Sequence, residues 1–231
     1  MNSSLNKVLV IFSGGQDSTT CLLQAIRDYG LENVSCITFH YGQKHSLEVQ
    51  VAREIAAELG VADHKLLSID WYNQITSSAL LNHSIAIAQS ADAGCPNTVV
   101  DGRNMMFLLV AAVYAKSKLI HDLMIGVCET DFSGYPDCRE VFVQSCNETL
   151  NLAMAWQFNV YTPLMHLTKA QTWRMADELG RLDYIYHKTL TCYNGVRGPG
   201  CGACPSCQLR RKGYDEYVSG RGWGSARVRE C

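Results

Sequence analysis

No run of apolar residues in this chain is long enough to cross a membrane. The longest, residues 105–115, has 11 residues, against the roughly 18 or more that a spanning helix needs. A secretory signal is lacking as well: residues 1–6 form a short polar stretch, and the apolar residues 8–12 run into glycines with no small-residue cleavage pattern. The expected location is therefore the cytoplasm. Excess positive charge is also missing. The chain has 20 Lys and Arg against 22 Asp and Glu, a formal net charge of -2, so it is no polycation built for nucleic acid or an anionic membrane, and neither is expected as a partner. Any recognition of phosphate has to be local. There is no low-complexity segment and no repeat beyond the alternation described next. At 47% hydrophobic and 18% charged over 231 residues, the composition excludes a disordered or collagen-like chain and leaves room for a sizeable core.

What is present alternates between two periods. Residues 8–12 are a short β-branched apolar run, and 33–40, 63–69 and 121–127 also read as strands. Between and after them, 18–29, 46–59, 103–116, 168–179 and a stretch with Phe142, Cys146, Thr149, Ala153 and Trp156 on one stripe read as helices, two of them stopped by Gly60 and Gly180. The 103–116 helix reads as buried. Residues 71–99, with Gly94 and Pro96, read as an excursion outside the core. Strands alternating with helices imply right-handed crossovers and an α/β fold with a doubly wound, mostly parallel sheet. Near Leu190 glycines and cysteines replace the periodic pattern, which predicts an α/β domain over 1–188 and a small appended module over 189–231.

Between the first strand and the first helix stands Phe12-Ser13-Gly14-Gly15-Gln16-Asp17-Ser18-Thr19. It lacks the lysine of a Walker loop and the three spaced glycines of a dinucleotide fingerprint. It does have paired glycines that let backbone approach an anion, hydroxyls that donate to oxygens, and a helix start with unpaired amides. The bland alternative is an ordinary glycine turn with Asp17 or Ser18 as helix cap. The Ser-Gly-Gly-x-Asp-Ser string resembles the pyrophosphate loop of the ATP pyrophosphatases, whose adenine nucleotide α-hydrolase-like fold is the doubly wound type. That resemblance implies ATP wrapped by Phe12, Ser13, Gly14, Gly15, Gln16, Asp17, Ser18, Thr19, Thr20, Cys21 and Leu22, with Asp17 holding Mg²⁺.

Eleven cysteines are an odd number in a chain expected in a reducing compartment, which argues against a disulfide framework. Four of them, Cys192, Cys201, Cys204 and Cys207, form a C-x8-C-x2-C-x2-C array on a glycine-rich turn. Such thiolates close a tetrahedron around one structural Zn²⁺, with no open position for water. An iron–sulfur cluster and a redox thiol pair are the rivals. The other cysteines are dispersed and read as small core residues.

A second polar loop, 126–139, follows the strand at 121–127 and brings acids, Arg139 and two aromatics to the same edge of the sheet. With Tyr41-Gly42-Gln43, Gly102-Arg103-Asn104, Thr162-Pro163-Leu164-Met165 and Thr189-Leu190-Thr191-Cys192-Tyr193-Asn194-Gly195, the sequence resembles, over essentially its whole length, the 7-cyano-7-deazaguanine synthases of the queuosine pathway. Gln171 stands where that family leads one to expect Glu. The resemblance implies 7-carboxy-7-deazaguanine, ammonia and ATP as substrates, a structural zinc, and a homodimer. Asp131, Tyr135 and Asp137 are candidates for holding the heterocycle, and Arg103 and Lys169 for neutralising charge as pyrophosphate and AMP depart. Two rivals remain at this stage: a sulfur transferase of the same superfamily that thiolates tRNA, and a zinc-ribbon binding module without catalysis. Residues 208–231 carry six Lys and Arg against three acids, a pattern more often a solvated face than an RNA site.

Overall fold

The computed structural model describes residues 7–42, 47–76, 78–82, 84–88, 96–130 and 135–220. Asp131 lies outside them. Five strands form one sheet in the order β3-β2-β1-β4-β5, with β1 at Val8–Ile11, β2 at Val34–His40, β3 at Asp63–Ser68, β4 at Asp122–Ile125 and β5 at Asn159–Tyr161. Every pairing is parallel, with Val8 opposite both Val34 and Asp122. The helices are α1 (Gln16–Tyr29), α2 (Leu47–Glu58), α3 (Arg103–Ser117), α4 (Glu140–Met154), α5 (Lys169–Glu178), α6 (Leu182–Lys188) and α7 (Pro205–Val218). β1 and β4 are neighbours although the chain leaves β1 toward β2, so the strand order reverses between them. In such a sheet the crevice at the carboxyl ends of these two strands is the ligand site, and both polar loops of the sequence lead out of it.

β1 and β4 are buried at every position, as strands covered on both faces must be. One core cluster joins Leu9, Ile37, Leu108, Ala112, Leu123 and Phe158. The other joins Val8, Val10, Leu22, Ile55 and Leu164 to Leu190, Cys192, Cys204 and Cys207. The expected boundary at residue 188 therefore falls where the chain runs on into a shared apolar cluster, and α7 packs against α5.

Several sequence expectations change. The stripe expected on α4 is phased differently: Val143, Cys146 and Leu150 face the core while Thr149 is exposed, because Val143 and Leu150 offer more apolar area than Thr149 or Ala153. Only one face of α3 is buried, that of Leu108, Ala111, Ala112 and Ala115; Met105, Leu109 and Val113 are 53%, 42% and 58% exposed. The stretch 71–99 is not wholly outside the core, since Tyr72 and Leu81 pack into it. Strand β5 is too short, at three residues, for a period-2 pattern to reveal it. Helices α6 and α7 were hidden by polar composition.

Gly14 sets the course of the loop after β1. Its φ is +77°, and a Cβ there would stand 2.9 Å from the backbone nitrogen of Ala52 on α2. That neighbour is main chain and cannot turn aside. Gly14→Ala is expected to cost about 1–3 kcal/mol through strain and overpacking, read from the denaturant midpoint of the purified variant.

Candidate active site

α1 begins at Gln16 with Gly15 as its cap residue, and no side chain of its own caps it. The ordinary turn with Asp17 or Ser18 as cap is thereby set aside. The loop is braced internally: Ser13 N–H donates to Ser18 Oγ at 3.2 Å, Ser18 Oγ–H to the Gly15 carbonyl at 3.3 Å, and Thr20 Oγ1–H to the Gln16 carbonyl at 2.9 Å. Phe12 is pinned to β2 through its N–H on the Ile37 carbonyl at 2.8 Å. A cavity of about 300 Å³ opens above, at the low end of the range for ligand sites. Phe12, Ser13, Gly15, Gln16, Asp17 and Ser18 line it; Thr20, Cys21 and Leu22 lie behind it, fully buried. Gln16, one of the residues lining this cavity, is 1% exposed, and neither its side-chain nitrogen nor its side-chain oxygen has a hydrogen-bond partner among the described residues.

Lys169 reaches the loop from 152 residues away, its Nζ 2.9 Å from both carboxylate oxygens of Asp17. Local sequence starts the helix that carries it. Thr168 and Gln171 form a reciprocal capping box, with Thr168 N–H on Gln171 Oε1 at 2.8 Å and Gln171 N–H on Thr168 Oγ1 at 3.3 Å. Gln serves this geometry as Glu would, and Lys169 becomes the first helical residue. The lysine is then covered by α7, where Gly213 comes so close that a Cβ would lie 2.6 Å from Lys169 Cβ and Cγ. The side chain is 9% exposed as a result.

The opposite wall is aromatic. Phe39 and Phe107 stack with ring centroids 4.5 Å apart, and Tyr41 meets Phe107 edge-on at 5.4 Å. Tyr135, on the second loop, shares its hydroxyl with Thr98 Oγ1 at 2.7 Å and Tyr193 Oη at 3.2 Å, and the Arg103 guanidinium lies 5.9 Å from its ring centroid. Arg103, Tyr135 and Tyr193 line the same cavity as the loop. Asp137 does not line it: its Oδ2 accepts from the Asn104 backbone N–H at 2.9 Å and its carbonyl from Asn104 Nδ2 at 3.0 Å, which holds the start of α3.

Two residues at this site are given no role by the sequence reading. Arg210, 3% exposed, donates from Nη1 to the Oγ1 atoms of Thr189 (2.8 Å) and Thr191 (2.9 Å), and from Nη2 to the carbonyls of Ile185 (3.0 Å) and Tyr186 (2.9 Å). Burial draws its pKa down to about 10, opposed by the Asp17 carboxylate, so it stays charged at neutral pH. Thr191 is the second. Thr191 stands in one of the strings that carry the family resemblance, but the string gives it no role; for Arg210 the one signal is proximity to the cysteine array in the chain.

The four clustered cysteines converge. All their sulfurs lie within 4.8 Å of one another, with Cys192–Cys204 at 4.0 Å and Cys201–Cys207 at 3.9 Å. A tetrahedron with metal–sulfur bonds of about 2.3 Å has edges of about 3.8 Å, so the donor set fits one zinc ion. A two- or four-iron cluster would divide the thiolates among its irons and spread them further. The Cys204 backbone N–H donates to Cys201 Sγ at 3.4 Å and the Asn194 N–H to Cys192 Sγ at 3.3 Å. Backbone donors, that of Cys204 first, hold the Cys201 pKa below the usual thiol value, whereas burial raises Cys207. Among the described residues, no helix is long and apolar enough to cross a membrane.

Residues 7–218 match the family model of the queuosine biosynthesis protein QueC. That family makes 7-cyano-7-deazaguanine and uses ATP to do so, which the cavity with its phosphate loop suits. Among solved structures the chain resembles the NH3-dependent NAD synthetase from Campylobacter jejuni subsp. jejuni NCTC 11168 in complex with the nitrate ion, at 14% identity and a TM-score of 0.48, with 80% of this chain and 68% of that one covered. The tRNA-thiolating alternative is not favoured: the family match is to a deazapurine enzyme, and the four cysteines form a closed metal array. With 7–218 of 231 residues matched, this chain belongs to the queuosine biosynthesis protein QueC family.

Proposed function

We propose that this chain converts 7-carboxy-7-deazaguanine and ammonia to 7-cyano-7-deazaguanine by two adenylations at one site. The observation that carries the reading is the single cavity in which the phosphate loop, the Lys169–Asp17 pair and the Arg103 aromatic wall meet. A carboxylate oxygen is a poor leaving group. Its attack on the α-phosphorus expels pyrophosphate and leaves an acyl adenylate; ammonia then displaces AMP, loses a proton, and gives the amide. The amide oxygen attacks the α-phosphorus of a second ATP and expels pyrophosphate, and loss of AMP together with both protons of the nitrogen leaves the nitrile.

In this scheme the first turn of α1 and its hydroxyls hold the departing pyrophosphate. Lys169 neutralises charge beside Asp17. The Asp17 carboxylate keeps lone pairs beyond those facing Lys169, which suits a Mg²⁺ shared with phosphate oxygens; the ion would supply charge neutralisation on the nucleotide. Arg103 and Tyr135 orient the planar substrate, with Asp131 a further candidate. Cys192, Cys201, Cys204 and Cys207 hold zinc in a closed site that folds residues 189–218 onto the 1–188 body. A cytoplasmic location and a homodimer complete the proposal.

The test is incubation of the protein with ATP, Mg²⁺, ammonium and the carboxylate substrate. The expected result is two AMP and two pyrophosphate per nitrile, with the amide as intermediate. AMP formed only when tRNA is present, or orthophosphate in place of pyrophosphate, would overturn the assignment.

A further inference from the structure

The start of a helix is ordinarily capped from within, by a Ser, Thr, Asp or Asn at the cap position. α1 is not: its cap residue is Gly15, and the N–H of Gln16 donates instead to Thr191 Oγ1, 175 residues away, at 3.1 Å. The same oxygen accepts from Arg210 Nη1 at 2.9 Å. Around it the contact is doubled. Leu190 N–H donates to the Gly14 carbonyl at 2.9 Å, and Ser206 Oγ–H to the Thr191 carbonyl at 2.7 Å. Thr191 adjoins Cys192, Ser206 lies between Cys204 and Cys207, and Arg210 follows Cys207 by three residues on α7. Every contact that sets the loop from this side thus comes from the cysteine module.

A cap supplied locally would keep the helix start formed whatever the rest of the chain did. A cap supplied by the module makes it conditional. Anion binding by backbone amides depends on donors held to within about half an ångström, so the difference reaches the ligand. We propose that Thr191, fixed by Arg210, is a positioning residue for the phosphate loop, and that the cysteine module through it sets the affinity for the pyrophosphate part of the nucleotide. The inference rests on the reading of this loop as the ATP site.

Thr191→Val removes the oxygen while keeping the shape; Thr191→Ser keeps the oxygen. With full-length, zinc-loaded protein, calorimetry would measure binding of magnesium pyrophosphate and, separately, of adenosine, alongside zinc content. Thr191→Val is expected to weaken pyrophosphate binding roughly tenfold, the scale of one buried hydrogen bond left unmade, with adenosine binding and one zinc per chain retained. Thr191→Ser is expected to restore wild-type affinity, which a general packing defect would not do. Wild-type pyrophosphate affinity in Thr191→Val, or an equal loss of adenosine binding, would overturn the inference alone. Failure of the wild-type protein to bind pyrophosphate or ATP at all would overturn the proposed function beneath it.

Discussion

Lys169→Met is expected to lower kcat/KM for AMP formation by about a thousandfold, the upper scale for losing one preorganised charge donor at a reacting phosphate. The ammonium is pre-positioned rather than recruited. Its stem is clamped under Gly213, its first helical turn is set by the capping box, and both carboxylate oxygens of Asp17 hold its head at 2.9 Å. Removing it also strands a carboxylate whose side chain is 29% exposed. A fully buried orphan would cost more; with this exposure about 1–3 kcal/mol of stability is expected to go. Asp17→Asn should damage activity to a similar extent. The double variant should recover much of the stability and none of the activity, because the two residues act as one unit. Stopped assays for AMP and thermal melts of the three variants decide the matter. A Lys169→Met protein within tenfold of wild type would remove the pair from the chemistry.

Zinc removal is the second large effect. Cys192, Cys204 and Cys207 are 2%, 3% and 1% exposed and belong to the apolar cluster that holds Val8, Val10 and Phe12. An ion held by these sulfurs would therefore sit against the core that carries the phosphate loop. Structural zinc sites contribute on the order of 10 kcal/mol to the folding of the segment they close. Cys204→Ser, or dialysis against a strong chelator, should therefore release the metal, lower the melting temperature sharply and expose the amides of residues 190–213 to hydrogen exchange. ATP binding should fall with them, since Thr191 and Arg210 lie in that segment. Exchange in β3, none of whose residues belongs to that cluster, should change least. A metal-free protein with an unchanged melt would show that the four sulfurs hold nothing of structural consequence.

Much of this was legible in the sequence for a plain reason: the signals were local. Residues 8–12 and 123–125 are unbroken apolar runs, as strands covered on both faces are. The phosphate loop and the cysteine spacing are short patterns whose chemistry depends on residues a few positions apart. Where tertiary packing chose among near-equal options, the reading slipped. On α4 the choice between Val143 and Thr149 as inward positions depended on what the sheet offered opposite. On α3 the run 105–115 is apolar all round, and only the fold left Met105, Leu109 and Val113 outside.

Read from the chain alone were the α/β alternation, the phosphate-loop pattern, the four-cysteine array and the resemblance to the family. Those features are written in periodicity and in spacings short enough for the chain to realise alone. Only the tertiary structure decided that Lys169 is a buried partner of Asp17 rather than a solvated cation, that Arg210 and Thr191 belong to the site, and that the cysteine module caps the helix of the phosphate loop. Each of these is a contact between groups 19 to 175 residues apart, and separations of that kind leave no periodic trace, because the geometry that closes them is created by the packing of the whole sheet and its helices.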